Sequence, residues 1–217
     1  DSPRLDLKGN PLYEDLDLAY MKTHYYGGIK KYQWASIPLA MHGVVVLASG
    51  EKVNIEIGEK DEDPVFTIPD ILPHLAGKIQ GDRKSGEVIK GEELQILVGS
   101  IPSTIEDKEI KEKIKYTVLE ILNRDYGMVE EDFISAELEL VPAGKARDLG
   151  FDKSMIGAYG QDDRICGYTS MMAILDLEET PKRTAVCFLA DKEEIGSAGS
   201  TGLKSDYINL SLIHISE

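Results

Sequence analysis

The chain has 217 residues, 42% of them hydrophobic, enough for one large domain or two small ones with a sizeable core. Lys and Arg total 24 against 39 Asp and Glu, a formal net charge of −15. That balance excludes the basic footprint that sequence-independent nucleic-acid binding needs, and it disfavours an anionic membrane surface.

Residues 1–16 are polar and turn-rich, with Pro3, Gly9 and Pro11. From Leu16 the stretch LDLAYMKTHYY predicts a strand that ends at a Gly27-Gly28 turn. HGVVVLASGEKVNIEIGE, residues 42–59, predicts two strands joined at Ser49-Gly50. Val53, Ile55 and Ile57 alternate there with Asn54, Glu56 and Gly58, the pattern of a half-buried strand. PVFTIPDILPHLAGKI predicts a short strand and then a short helix that Asp70 could cap. Residues 81–91 are charged and Gly-bearing, a surface loop, and ELQILVGSI is a further strand. Residues 106–124 form the clearest helix, with Ile110, Ile114, Val118 and Ile121 or Leu122 on one core-facing side. DFISAELELV is a strand of alternating type.

The character changes at residues 154–209. SMIGAYGQDDR leads into an apolar helical segment, RICGYTSMMAILDL. RTAVCFLAD, residues 183–191, has the continuous apolar run of a strand buried on both faces. The Gly-rich KEEIGSAGSTG follows it. Loop, helix, buried strand and loop is the grammar of an open α/β sheet. The expected fold is therefore an α/β domain interrupted by a β-rich insertion. Cys166 and Cys187 lie in apolar runs, far apart and outside any CxxC pattern, so buried free thiols in a reducing compartment are expected. No apolar stretch reaches the roughly 18 residues of a membrane span and no secretory leader is recognisable, so the expected location is the cytoplasm.

Three stretches could carry chemistry. Asp162-Asp163-Arg164 follows Gly160-Gln161, and paired acids there can be a metal site, a helix cap or a plain surface turn. Glu193-Glu194 stands at the carboxyl end of the predicted strand 183–191, where sites form in open α/β sheets. Two adjacent carboxylates can divide labour, one binding a metal and one taking a proton from metal-bound water, or both can simply be solvated. GSAGSTGLKS fails as a phosphate loop because Leu203 separates Gly202 from Lys204, and the dinucleotide-binding glycine spacing is absent. A flexible loop on the substrate side fits it better. There is no HExxH, which excludes a thermolysin-like site within this chain.

Four stretches in order carry a resemblance. DSPRLDLKGNP (1–11), YYGGIKKYQW (25–34), GQDDR (160–164) and ADKEEIGS (190–197) together resemble the aspartyl aminopeptidase family, which includes the vacuolar aminopeptidase I group. The resemblance covers residues 1–209. It implies an open mixed-sheet zinc-exopeptidase catalytic domain, present in part, with an oligomerisation domain inserted. The segments would be 1–16 and 154–209 for the catalytic domain and 17–153 for the insertion. It implies two zinc ions per site, Asp162 bridging them, Glu194 as a zinc ligand and Glu193 as general base. Asp1 would orient a histidine ligand two positions upstream. With further ligands expected beyond residue 209, two of five would stand in this chain, too few to hold the metal pair alone. His74, in IPDILPHLAG, matches an insertion-domain histidine that reaches a neighbouring subunit's active site. A cis peptide is implied between Asp162 and Asp163.

The implied activity is release of N-terminal residues from peptides by a homo-oligomer built through the insertion domain. The alternatives are another two-zinc amidohydrolase or deacylase, or a non-catalytic oligomerisation module. Where many members read Trp-Phe-Asp-Arg, this chain has Trp34-Ala35-Ser36-Ile37, so the family's acidic-residue preference is not implied. Residues 210–217 (LSLIHISE) break the preceding pattern and are expected to be a non-native tail, which leaves His214 without functional weight.

Overall fold

The computed structural model describes residues 1–216; Glu217, the last residue of the expected tail, lies outside them. Two compact units emerge. One takes Asp1–Pro3, Tyr26–Gly28 and Ala146–Glu217, and the other takes Arg4–Tyr25 and Ile29–Lys145.

The larger unit is a six-stranded sheet. Its strands are β1 (Arg4–Asp15), β2 (Leu18–Tyr26), β3 (Leu39–Val46), β4 (Lys52–Ile57), β5 (Gln95–Gly99) and β6 (Glu137–Pro142), in the order β4-β3-β6-β1-β2-β5. The β3–β4, β3–β6, β1–β6 and β2–β5 ladders are antiparallel. The β3–β4 hairpin follows the sequence pattern, with Gly43 facing Ile55 and Val45 facing Val53. Gly43 has φ +142, and a Cβ there would lie 1.9 Å from the Glu137 carbonyl oxygen, so β3 passes β6 too closely for any side chain. Leu5, Leu39, Val45, Ile96 and Leu140 form the buried centre, and Trp34 packs into the same core.

Two helices belong to this unit, α1 (Pro73–Ile79) and α2 (Lys113–Tyr126). On α2, Ile114 and Val118 are buried as the spacing predicts. The helix starts at Lys113 and not near 106. The Glu14 carboxylate, arriving from β1, accepts hydrogen bonds from Ile114 N at 2.8 Å and Lys115 N at 3.0 Å, and so caps the helix there. Ile110 therefore falls outside it. Asp70 does not cap α1. Its Oδ1 accepts from Ile71 N and Gln80 Nε2, and Pro73 opens the helix after Leu72.

Residues 4–15 are a strand, although Gly9 and Pro11 suggest a turn there. β1 lies between β6 and β2, pairs Leu5 with Leu140, and buries Leu5 and Leu12. The turn-like centre survives as a kink at Asn10, φ +51. The smaller unit's first segment ends at Pro3.

The smaller unit holds a hairpin of β7 (Arg147–Leu149) and β8 (Met155–Gly157), then α3 (Gln161–Leu175) and α4 (Tyr207–Ser216). The hairpin lies in this unit, which resumes at Ala146. The buried hydrophobic cluster draws none of its described members from this unit. Residues 183–191 do not form the expected buried strand. Phe188 and Leu189 are 42% and 62% exposed, and the segment's one isolated bridge joins Asp191 to Gly202. A strand exists only through hydrogen bonds to a neighbour, and no ladder forms along 184–190 among the described residues. The open sheet expected here is accordingly absent among the described residues. Cys166 is exposed and Cys187 partly so, against the expectation of buried thiols, because no described residues cover these apolar stretches. Among the described residues no helix is long and apolar enough to cross a membrane.

Candidate metal centre

Two acidic turns of the smaller unit are both fastened to Asp1. The first opens α3. Gly160 has φ +82, and Asp162 (φ −84, ψ 116) and Asp163 (φ −113, ψ 29) are non-helical, so the regular helix begins after them. The Asp162–Asp163 peptide bond is cis, as the resemblance implies. Ser2 Oγ donates to the Asp162 carbonyl oxygen at 2.6 Å, and the Asp1 nitrogen donates to Asp163 Oδ2 at 2.9 Å. Tyr159 Oη donates to the Pro3 carbonyl at 2.6 Å. The Asp162 carboxylate is exposed and accepts no hydrogen bond from the described residues.

The second turn is a single 3-10 turn, Glu193–Ile195, opened by Lys192 (φ +67) and closed by Gly196 (φ +77). Gly196 N donates to the Glu193 carbonyl at 2.8 Å, and Ser197 N donates to the Lys192 carbonyl at 2.7 Å. Glu194 N donates to Asp1 Oδ1 at 3.4 Å, and Gly28 N donates to Glu194 Oε2 at 3.3 Å. Tyr26 Oη donates to Asp1 Oδ2. Glu193 is exposed and its carboxylate has no partner among the described residues. On the preceding Asp191, burial works to raise the carboxyl. The Lys192 N–H, the Thr201 hydroxyl and the Lys192 ammonium outweigh it and hold the group low.

Asp1 thus ties both turns together, which brings it into the same small framework as Asp162 and Glu194. His74 is exposed on α1 in the larger unit. Ser2, Tyr26 and Gly28 carry hydrogen bonds of the site, yet no role was expected of them. A hydrogen bond to a partner far along the chain leaves no trace in residue spacing. A cavity of about 620 Å³ has Asp1, Asp163, Cys166, Met171, Phe188 and Asp191 on its walls.

Among the described residues no three His, Cys, Asp or Glu side chains converge on a point where a metal could sit. Carboxylate oxygens are proper zinc donors, and zinc centres take about four ligands. Asp162, unengaged, and Glu194, held at one oxygen only, fit such a centre as two of its donors.

The class to which these turns belong is zinc metalloprotease: the model that matches residues 1–217 describes the aminopeptidase I zinc metalloproteases (M18). The chain belongs to this family. It is 61% identical over 208 residues to the probable M18 family aminopeptidase 1 of Borrelia garinii, covering 96% of this chain and 45% of that protein. The crystal structure of an M18 aminopeptidase from Thermotoga maritima is similar with a TM-score of 0.89 at 53% identity, covering 98% of this chain and 45% of that one. The crystal structure of aminopeptidase I from Clostridium acetobutylicum also gives 0.89 at 53% identity, covering 100% and 46%. The chain thus spans a little under half the length of the relatives it matches.

Proposed function

We propose that this chain is part of a longer zinc aminopeptidase that releases N-terminal residues from peptides. The observation that carries the reading is the fastening of both the Asp162–Asp163 and the Glu193–Glu194 turns to Asp1, with the Asp162 and Glu193 carboxylates unengaged. Relatives bearing the name aminopeptidase support it. Two zinc ions, when bound, supply Lewis acidity and a water of lowered pKa. Asp162 and Glu194 would be among the residues that hold them. Glu193, adjacent and unligated, takes the proton of the attacking water on its carboxylate and returns it to the leaving amine nitrogen. Asp1 positions, through its contacts with Tyr26 and the Glu194 amide, the framework that carries the ligands. The remaining ligands would come from sequence beyond this chain, as would the cover for the exposed apolar residues of the smaller unit.

The larger unit serves as the inserted oligomerisation domain of a homo-oligomer. Its α1 region presents Leu72, Leu75 and Ile79 to solvent, 54–66% exposed, beside His74. An uncovered apolar edge of that kind suits a neighbouring subunit, to whose site His74 would be offered. Unpaired cysteines suit a cytoplasmic location.

The test is the full-length protein's zinc content and its cleavage of peptides with free and acetylated N-termini. Zinc-dependent cleavage of the free form alone is expected. Equal cleavage of acetylated peptides would favour a deacylase or endopeptidase, and absence of both zinc and cleavage would favour an oligomerisation module.

A further inference from the structure

We propose that Tyr26, Gly27 and Gly28 form a cradle that fixes the Glu194 carboxylate, each residue by a different means. This rests on the reading of Glu194 as a zinc ligand. Gly27 acts by having no side chain. Its φ is +77, and a Cβ there would lie 2.5 Å from Glu194 Oε2 and 2.9 Å from Glu194 Cβ. Any larger residue would push Glu194 out of place. Gly28 acts through its backbone alone. Its N–H donates to Glu194 Oε2, whereas a Cβ on it would meet nothing within 4 Å. The two adjacent glycines therefore differ in their tolerance of alanine.

Tyr26 acts at one remove. It is 5% exposed, its hydroxyl donates to Asp1 Oδ2, and the other oxygen of that carboxylate accepts from the Glu194 amide. The Lys192 ammonium lies 5.5 Å from the centre of the Tyr26 ring and draws the start of the same turn against it. The cradle occupies Oε2 and leaves Oε1 without a hydrogen bond from the described residues, so Oε1 is the oxygen presented to the metal. These three are positioning residues, because none of them supplies a ligand atom.

The experiment measures zinc affinity of the full-length protein by competition with a chelating dye, alongside the melting temperature of the metal-free form. The variants are Gly27→Ala, Gly28→Ala, Tyr26→Phe and Glu194→Gln. Loss of a group that orients a ligand weakens metal binding about 10–100-fold, so Gly27→Ala and Tyr26→Phe are expected in that range and Gly28→Ala within about twofold of wild type. A merely structural role would lower the metal-free melting temperature and leave zinc affinity unchanged. If Gly27→Ala does not fold, Tyr26→Phe decides, since it deletes one oxygen and keeps the ring. Wild-type affinity in Tyr26→Phe, or equal affinities in Gly27→Ala and Gly28→Ala, would overturn the cradle. Unchanged affinity in Glu194→Gln would instead remove Glu194 from the ligand set, which is the failure of the underlying reading.

Discussion

Ser2 Oγ lies 2.6 Å from the carbonyl oxygen of Asp162, a hydrogen bond that closes 160 residues of chain. Ser2 is buried, so the bond is made away from bulk water. Ser2→Ala leaves the Asp162 carbonyl without its donor, a loss of about 0.5–1.5 kcal/mol. Ser2→Thr keeps the hydroxyl and should retain most of it. Thermal melting of the two variants checks this, and identical melting of Ser2→Ala and wild type would remove the bond from the account.

The larger unit offers a separate test. Glu14 takes the place of a local cap for α2, with one carboxylate oxygen serving two amides of the first turn. Removing a helix cap costs about 0.5–2 kcal/mol, so Glu14→Ala should lose that much. Glu14→Gln should lose less, because it keeps an acceptor oxygen while giving up the favourable charge at the helix start. Urea denaturation distinguishes them. Equal stability of Glu14→Ala and wild type would mean water caps the helix as well.

Acid should loosen the loop closed by Glu93. Partial burial works to raise this carboxyl, but the Arg83 guanidinium at 2.8 Å and the Lys90 amide at 2.9 Å outweigh it and hold the group low. A depressed carboxyl stabilises the fold at pH values above its unfolded pKa of about 4.3, and that contribution is lost as pH falls through the folded value. Protection of the Lys90 amide from hydrogen exchange should fall in that acidic range in the wild type. In Glu93→Gln protection should be low at neutral pH and flat across the range. Protection in the wild type that does not change with acid would contradict the assignment.

Much of the larger unit could be read from its residues. Alternation at Val53, Ile55 and Ile57 and the Ser49-Gly50 turn predict β3 and β4, and the spacing of Ile114 and Val118 predicts the buried side of α2. Strand β1 could not be read, because Pro3, Gly9 and Pro11 look like turn residues and the strand is made by its neighbours β6 and β2. Residues 183–191 show the converse. Their composition suits a strand buried on both faces, but the hydrogen-bonding neighbours such a strand needs are not among the described residues. At the site, Asp162, Glu193 and Glu194 taken singly look like ordinary surface acids, and only the order of four motifs singles them out. Ser2 and Tyr26 were hidden because their partners are distant in sequence.

The division of labour between Glu193 and Glu194 is the central claim, and one pair of variants of the full-length protein tests it most directly. Bound zinc and peptide cleavage are measured together in Glu193→Gln and Glu194→Gln. Glu193→Gln should retain its zinc while cleavage falls about 10²–10⁴-fold, the usual contribution of a general base. Glu194→Gln should lose zinc, and cleavage with it. A Glu193→Gln protein that cleaves at the wild-type rate, or a Glu194→Gln protein that keeps its zinc, would contradict the account.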